Sequence, residues 1–314
     1  MTRSGKPGSG AGRRSLLALP ALIALGSRTA AAAREAEALR DRIAGLRLGA
    51  NLERWHAIAH NNQPRRLGTA WWRRFRAAGF DHARLFIPPV SETGDSTGVL
   101  RMFQQAVEDA NAAGLPVLLG LTDSYHQSKP WAAREWEALA TRAAFFAART
   151  DPAQVVLAPL NEPAFPDTAG WMPVRDRLLA AVRRAAPAHL LMWGGREWCS
   201  ARSLVEATPP EDPLTIAEVH DYEGGDAGAV QWRFRPIAAW RDRHRVPVVV
   251  SELGGAKGHE TKASAWAADL RTALPVLREL GLPATLWAYT YGGHWRLQSG
   301  DDAALRPEIR AVLR

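Results

Sequence analysis

Residues 155–163 read VVLAPLNEP, an apolar run that ends in an asparagine, a glutamate and a proline. A short apolar run of about four to eight residues bounded by breakers is typical of a strand buried on both faces, as in a parallel sheet. Helical periodicity precedes this run over residues 130–148 and follows it over residues 174–185. The stretch therefore predicts a helix, a buried strand and a second helix, with a carboxylic acid where the strand ends.

The same alternation continues outward in both directions. Eight apolar runs are predicted to be strands, at residues 46–50, 82–87, 117–121, 155–160, 190–193, 214–219, 246–250 and 284–288. Helices are predicted at residues 70–78, 99–113, 130–148, 174–185, in a short segment near Leu204, and at residues 230–243, 262–280 and 303–313. Alternation repeated eight times favours an α/β fold, a single-domain (β/α)₈ TIM barrel, over an open doubly wound sheet.

The net charge of +8 comes mostly from the first 33 residues, which contain five basic residues and no acid, so the remainder carries 8 − 5 = +3. No basic run with interleaved aromatic residues occurs in that remainder, and nucleic-acid binding is therefore not expected. The 46% hydrophobic and 23% charged composition is that of a globular chain.

Residues 1–33 have the order of a signal peptide. A basic segment ends in Arg13 and Arg14, an apolar stretch runs from Leu16 to Leu25, and small residues occupy 30–33. The paired arginines resemble a twin-arginine export signal. The apolar stretch is shorter than the roughly 20 residues that span a bilayer, so no stable membrane anchor is expected. We predict a secreted or periplasmic monomer whose residues 34–314 form the catalytic domain.

Cys199 is the single cysteine, so no intrachain disulfide can form. No activating base is evident near it in the sequence. We therefore expect a buried, small apolar residue beside Trp198 and not a nucleophile.

Polar side chains follow most of the predicted strands. In a parallel barrel the carboxyl ends of the strands share one face, and that face carries the chemistry. The strand-end residues are Asn51, Glu53, Arg84, Asp123, His126, Asn161, Glu162, Glu197, His220, Tyr222, Glu252 and Trp287. Glu162 and Glu252 follow the fourth and seventh strands, which can hold two carboxyl groups across one cleft. Glycosidic cleavage needs such a pair, one to protonate the leaving oxygen and one to attack the anomeric carbon.

With these motifs the chain resembles glycoside hydrolase family 5, the cellulase-like family of retaining (β/α)₈-barrel glycosidases, over nearly the whole mature chain. The resemblance rests on Asn161-Glu162-Pro163 after the fourth strand and on Ser251-Glu252 at the seventh. It implies that Glu162 is the acid/base and Glu252 the nucleophile. Asn161 would then bind the 2-hydroxyl group of the sugar.

Four further positions match the family pattern or lie near it. The resemblance implies that Arg84 lies beside the nucleophile. It implies that His220-Asp221-Tyr222 supplies a histidine and a tyrosine hydroxyl to the charge network around the nucleophile. It also implies that Trp287 forms the floor of a sugar subsite. His126 departs from the pattern. The family usually places a histidine at or just after the third strand, and His126 comes a few residues later, so its role as a substrate-binding residue is the weakest match.

The chain has 13 tryptophans, and nine of them fall into two groups by position. Those on predicted helices are expected to pack against the barrel: Trp71, Trp72, Trp136, Trp240 and Trp266. Those on strand-end loops are candidates for stacking on pyranose rings: Trp55, Trp198, Trp287 and Trp295.

The expected activity is that of an endo-β-1,4-glucanase acting by double displacement on a β-linked polysaccharide or oligosaccharide, without cofactor or metal. A β-mannanase and a β-1,3-glucanase of the same family remain open, and the β-linkage follows from the resemblance alone. A sugar-binding barrel without catalysis and a metal-dependent barrel hydrolase are the alternatives from other classes. A metal-dependent hydrolase would use Asp123, His126, His220 and Glu252 as possible metal ligands. His56 and His60 have the spacing of a zinc site on a helix, but the general-base glutamate that should follow the first histidine is missing.

Overall fold

Eight parallel strands close into a barrel in the computed structural model of the chain. The structure describes residues 1–2, 34, 37–43, 45–53, 55, 66–88, 97–122, 133–290, 295–300 and 304–313. Contacts divide the chain into two compact units, residues 1–38 and 39–314. The predicted signal peptide falls in the first unit and, from residue 3 to residue 33, lies outside the described residues. All strands and helices named below belong to the second unit.

Strands and helices alternate along the second unit. The strands are β1 (Leu48–Leu52), β2 (His82–Phe86), β3 (Val117–Gly120), β4 (Val155–Ala158), β5 (Leu191–Gly194), β6 (Thr215–Asp221), β7 (Val248–Leu253) and β8 (Ala284–Leu286). The helices are α1 (Thr69–Ala77), α2 (Thr97–Ala112), α3 (Ala133–Ala147), α4 (Thr168–Ala185), α5 (Ala201–Val205), α6 (Ala227–His244), α7 (Ala263–Glu279) and α8 (Pro307–Leu313).

Each strand pairs in parallel with the next, and β8 pairs with β1 to complete the ring. The predicted (β/α)₈ TIM barrel is therefore confirmed. No helix within the described parts of the chain combines the length and apolar character that a membrane span requires.

Three of the strands that carry strand-end residues extend further than predicted. β1, β6 and β7 end at Leu52, Asp221 and Leu253, which lie two or three residues beyond the predicted ends. Buried polar side chains can stay in these strands because partners across the barrel mouth satisfy them, as described below. The candidate residues Asn51, His220 and Glu252 thus lie within strands and not on the loops that follow.

Helix α4 begins earlier than predicted. Asp167 caps it by accepting a hydrogen bond of 2.7 Å from the backbone N–H of Gly170, which satisfies one of the unpaired donors of the first turn. The predicted helix began at residue 174, directly after Pro173. In the structure Pro173 instead lies inside the helix.

The barrel is filled by an apolar layer beneath a polar layer. Alternate strand residues share one face, so Ile216, Glu218 and His220 of β6 form one inward-facing column. Ile216 belongs to a buried apolar cluster that also contains Leu118, Val156, Met192 and Val249. Glu218 and His220 lie above it, at the mouth. Trp71, Trp72, Trp240 and Trp266 are buried in the larger outer cluster, as predicted, and Trp136 packs against it.

Candidate active site

One buried guanidinium connects four strand ends. Arg84 of β2 donates from Nη1 to Oε1 of Glu252 at 2.6 Å and to Oδ1 of Asn51 at 3.1 Å. Its Nη2 donates to Oδ1 of Asn161 at 2.9 Å and to Oε2 of Glu218 at 3.1 Å. The Arg84 side chain has no exposed surface. Burial opposes its charge, but the charges of Glu218 and Glu252 outweigh burial and raise its pKa, so the guanidinium is a fixed cation.

Asn51 holds this guanidinium from the neighbouring strand β1, where it pairs in register with Arg84. Its Nδ2 donates to the carbonyl oxygen of Ser251 at 2.9 Å and to that of Leu286 at 3.2 Å. Both ends of the amide are therefore used, with the oxygen accepting from Arg84. The sequence left the role of Asn51 open, and the structure gives it a place in the network.

Glu218 is a second carboxylate that the sequence analysis missed. It is completely buried on β6 and accepts a 2.5 Å hydrogen bond from the hydroxyl of Ser251. Burial alone would raise its pKa, but the Arg84 charge, together with His220 and Ser251, outweighs burial and lowers the pKa to about 2. Its position two residues before His220 was the available signal, since alternation puts both side chains on the same face.

His220 lies between the carboxylates. Its Nδ1 is 2.8 Å from Oε1 of Glu162 and 3.5 Å from Oε2 of Glu252, and its Nε2 is 3.5 Å from Oε2 of Glu218. Burial favours the neutral ring, but the Glu252 charge, the hydrogen bond to Glu162 and the nearby Glu218 carboxylate outweigh it and raise the pKa of His220 to about 10. The ring is therefore an imidazolium whose Nδ1–H donates to Glu162.

The two glutamates of the resemblance are close together but differ in surroundings. Oε2 of Glu252 accepts a 2.5 Å hydrogen bond from the Tyr222 hydroxyl, and the side chain is only 3% exposed. Burial and the nearby Glu162 raise the pKa of Glu252, while His220, Arg84 and Tyr222 oppose that shift. Glu162 is 26% exposed. Carboxylate oxygens of the two residues lie within 4.8 Å of each other.

The backbone at Glu162 is in the left-handed region, with φ of 45°. This conformation is uncommon for residues other than glycine and is concentrated at functional sites. It places the carboxylate of Glu162 against His220 at the point where the chain leaves β4.

An extra residue in β7 brings two consecutive side chains into the barrel. Val219 of β6 pairs with Val250, whereas His220 pairs with Glu252, so Ser251 is inserted in the ladder as a bulge. Simple alternation would turn either Ser251 or Glu252 outward. With the bulge, Ser251 reaches Glu218 and Glu252 reaches Arg84.

The candidate aromatic residues take different positions. Trp287 is partly exposed at the mouth, with its ring 5.6 Å from that of Phe86. Trp198 is 58% exposed on the loop after β5. Trp295 packs against Tyr222 with ring centroids 5.0 Å apart. Trp55 is buried to 2% against Phe103, so its ring is part of the core and does not face a cleft.

Several predicted residues cannot be placed. His126, and with it Asp123, His56 and His60 of the metal alternative, lies outside the described residues. Glu53 is placed on the loop after β1, where its backbone carbonyl accepts a hydrogen bond of 2.7 Å from the Thr290 hydroxyl.

Atoms of Glu162, His220 and Glu252 are close enough to bind a cation. The electrostatics disfavour one, because Arg84 and the Tyr222 hydroxyl already occupy both oxygens of Glu252 and His220 is itself positively charged.

Cys199 is buried, as predicted. Burial, with the charges of Glu218 and Glu162, raises its pKa well above the ordinary value. The thiol therefore stays protonated and is a poor nucleophile.

Comparison with known proteins shows which family the sequence matches. The sequence matches the family described as Cellulase (glycosyl hydrolase family 5) over residues 55–293. Endoglucanase H of Acetivibrio thermocellus is 26% identical over 95 residues; the match covers 26% of this chain and 10% of that protein, so the chain spans about a tenth of its length.

Two solved structures have the same fold. Endoglucanase Cel5A of Thermotoga maritima superimposes with a TM-score of 0.73 at 14% identity, covering 88% of this chain and 99% of that one. A broad-specificity endoglucanase from Clostridium longisporum gives a TM-score of 0.70 at 16% identity, covering 87% and 96%.

Proposed function

Because this chain belongs to glycosyl hydrolase family 5, it is a glycoside hydrolase with a polysaccharide substrate, and we propose that it cleaves β-1,4-glucan internally by a retaining double displacement. The observation that carries the retaining mechanism is the separation of the two carboxylates. Oxygens of Glu162 and Glu252 lie within 4.8 Å. Retaining glycosidases hold their carboxyl groups about 5–5.5 Å apart, whereas inverting ones leave about 6.5–9.5 Å for a water molecule.

The cations of the site compensate the charge of the buried carboxylates. Arg84 contacts both Glu218 and Glu252, and His220 lies close to Glu218, Glu162 and Glu252. Glu218, with its pKa of about 2, is ionised at neutral pH and balances one cation. The other cation remains to compensate negative charge on Glu252, the proposed nucleophile.

The contacts favour Glu252 as the nucleophile. Arg84 and the Tyr222 hydroxyl both donate to it, which orients its oxygens and stabilises their negative charge. Glu162 is more exposed and stands toward the cleft.

In the first step, Glu252 attacks the anomeric carbon while Glu162 gives its proton to the leaving oxygen, and the glycosidic bond breaks. In the second, Glu162 takes a proton from water, which attacks the anomeric carbon and releases Glu252.

Trapping the covalent intermediate tests the mechanism and the sugar together. A panel of 2-deoxy-2-fluoro glycosides of cellobiose, mannobiose and laminaribiose with good leaving groups would be incubated with the protein and the digest mapped by mass. We expect the cellobiosyl reagent to label the peptide that contains Glu252, and Glu252→Gln to abolish labelling. Glu162→Gln, the matched control, retains the nucleophile and should still be labelled by reagents whose leaving group needs no proton. Label on any other peptide would refute the assignment.

Preferential labelling by another reagent would change the substrate but keep the mechanism. The mannobiosyl reagent would indicate a β-mannanase, and the laminaribiosyl reagent a β-1,3-glucanase. Binding of glucan with neither labelling nor product release would instead support a sugar-binding barrel.

We also propose that the protein is exported after removal of residues 1–33. The support is the order of basic, apolar and small residues in that segment. N-terminal sequencing of exported protein should begin near residue 34, and replacing both Arg13 and Arg14 by lysine should block export if the route is the twin-arginine one. Full-length protein retained in the cytoplasm would contradict the proposal.

A further inference from the structure

An ion pair joins the end of β6 to α6. Asp221 is the last residue of β6 and lies between His220 and Tyr222 in the sequence. Because successive residues of a strand face opposite sides, its side chain points away from that of His220. Arg233 of α6 donates to it twice, from Nε to Oδ1 at 2.8 Å and from Nη2 to Oδ2 at 3.0 Å. The two side chains are 9% and 6% exposed, so the pair is bidentate and nearly buried.

Arg233 also holds the segment that follows Tyr222. Its Nη2 donates to the carbonyl oxygen of Gly224 at 2.6 Å. Gly224 has a φ of 62°, and a Cβ on it would lie 2.7 Å from Cβ of Ala256 in the segment after β7. One guanidinium therefore fixes the chain on both sides of Tyr222, at Asp221 before it and at Gly224 after it.

The side chain of Tyr222 connects this anchor to the proposed nucleophile. Its hydroxyl donates to Oε2 of Glu252 at 2.5 Å. The hydroxyl lies at the far end of a long and rigid side chain, so a small rotation of the backbone at Tyr222 takes it out of hydrogen-bonding distance. The backbone on either side of Tyr222 must therefore be held firmly for the hydrogen bond to persist.

The pair of Arg233 and Asp221 contributes geometry more than stability. Burial raises the pKa of Asp221 although the charge of Arg233 opposes that shift, which shows how strongly the pair is desolvated. Desolvation offsets most of the attraction in such a pair, whereas its two parallel hydrogen bonds fix both distance and direction. Glu252 itself faces other charged groups, namely His220, Glu162 and Arg84.

We infer that Arg233 is a positioning residue for the nucleophile, because by fixing Asp221 and Gly224 it holds the Tyr222 hydroxyl on Glu252. The inference rests on the proposed double displacement, in which Glu252 attacks the anomeric carbon. It gives a role to Asp221, the residue between the histidine and the tyrosine that the resemblance singles out. It also makes α6 part of the support of the active site.

The kinetic test measures kcat/KM for 2,4-dinitrophenyl β-cellobioside, whose leaving group needs no proton, so that the rate reports on Glu252 and not on Glu162. Arg233→Ala should lower kcat/KM about tenfold, because the nucleophile loses a hydrogen bond. The acid limb of the pH profile should move to higher pH, since that bond favours the charged form of Glu252. The control is Arg235→Ala, which removes an exposed contact to Gln231 on the same helix and should change neither quantity. An unmoved acid limb in Arg233→Ala would overturn the inference.

Two further variants separate positioning from a structural role. In the Tyr222→Phe background, adding Arg233→Ala should change kcat/KM less than about twofold, because the hydroxyl that Arg233 positions is already gone. A tenfold loss in that background would contradict the inference. Arg233→Lys keeps the positive charge beside Asp221 but lacks the planar fork that holds Asp221 and Gly224 together. It should keep its stability in urea and still lose activity, and full activity in Arg233→Lys would also contradict the inference.

A spectroscopic measurement separates this inference from the proposed function, because it needs no substrate. The chain has four tyrosines, so ring-labelled tyrosine gives few NMR signals, and Tyr222→Phe identifies the signal of Tyr222. We expect Arg233→Ala to shift that signal in the same direction as Glu252→Ala, which removes the acceptor, and Arg235→Ala to leave it in place. If the protein cleaved no glycoside but this shift occurred, the double-displacement proposal would fail and the positioning role would stand. If the protein cleaved the cellobioside and the signal stayed in place in Arg233→Ala, the positioning role would be wrong.

Discussion

The guanidinium of Arg84 contacts Glu218 and Glu252 at once, so removing the charge of Glu218 changes the field at Glu252. In Glu218→Gln, the positive charge of Arg84 acts more fully on Glu252 and lowers its pKa. His220 loses a neighbouring negative charge, and its pKa falls as well. We expect both limbs of the pH profile of kcat/KM to move to lower pH by about one unit, with about a tenfold loss at the optimum. Rates measured across the pH range check this.

The matched control is Ser251→Ala. It removes the hydroxyl that donates to Glu218 but leaves every charge in place. Cys199, the other titratable neighbour of Glu218, is neutral in both variants. The control should lose some stability with its pH limbs unmoved. If Glu218→Gln lost only stability and kept the wild-type profile, Glu218 would be a structural residue and not a positioning residue.

At the scale of elements, the packing of the residues that follow β6 and β7 requires a glycine. A Cβ on Gly254 would overlap Cδ1 and Cε1 of Tyr222, so Gly254→Ala must displace the tyrosine ring and disturb its hydrogen bond to Glu252. The hydrogen bond from a hydroxyl to a charged group contributes about 1.5–3 kcal/mol. We expect kcat/KM to fall about 10–100-fold, much as in Tyr222→Phe. Steady-state kinetics of the two variants measure this.

Gly68→Ala is the control for that change, because a Cβ at Gly68 would meet nothing within 4 Å. Its kinetics should match the wild type. Near-normal activity in Gly254→Ala would show that the tyrosine hydroxyl bond is dispensable.

The strands and helices could be predicted from apolar periodicity because burial in a closed parallel sheet imposes continuous apolar runs. The ends of β6 and β7 could not be predicted. Polar residues interrupt the apolar pattern near both ends, and only the three-dimensional network shows that Glu218, His220 and Glu252 satisfy one another. The bulge at Ser251 also has no local signal, since a polar residue in that position does not show that it is inserted in the strand pairing.

For the whole molecule, the pairing of Glu162 with Glu252 could be anticipated because parallel strand ends must share one face. The exposure of Trp232 on α6 could not. Trp232 is 79% exposed, yet its position in the sequence is that of an ordinary helical tryptophan. Whether a side chain is exposed depends on which other segments of the chain cover it, and the sequence of a single helix does not show this.

The buried network should also set the pH range in which the barrel is stable. The pKa of Glu218 is lowered from 4.5 to about 2, so its contribution to the free energy of unfolding is complete above pH 4.5 and is lost as the pH falls toward 2. The pKa of His220 is raised from 6.5 to about 10, so its contribution is complete below pH 6.5 and is lost as the pH rises to 10. From these two groups, stability is greatest between pH 4.5 and 6.5.

Replacing His220 isolates the alkaline part of that dependence. Urea unfolding of His220→Asn should give a free energy that is lower than wild type at pH 6.5 and that declines less steeply toward pH 10. His189→Asn is the control, because burial lowers the pKa of His189 from 6.5 and its contribution therefore changes only below that pH. The control should keep the full alkaline decline. A decline in His220→Asn as steep as in the wild type would show that the imidazolium of His220 does not stabilise the fold.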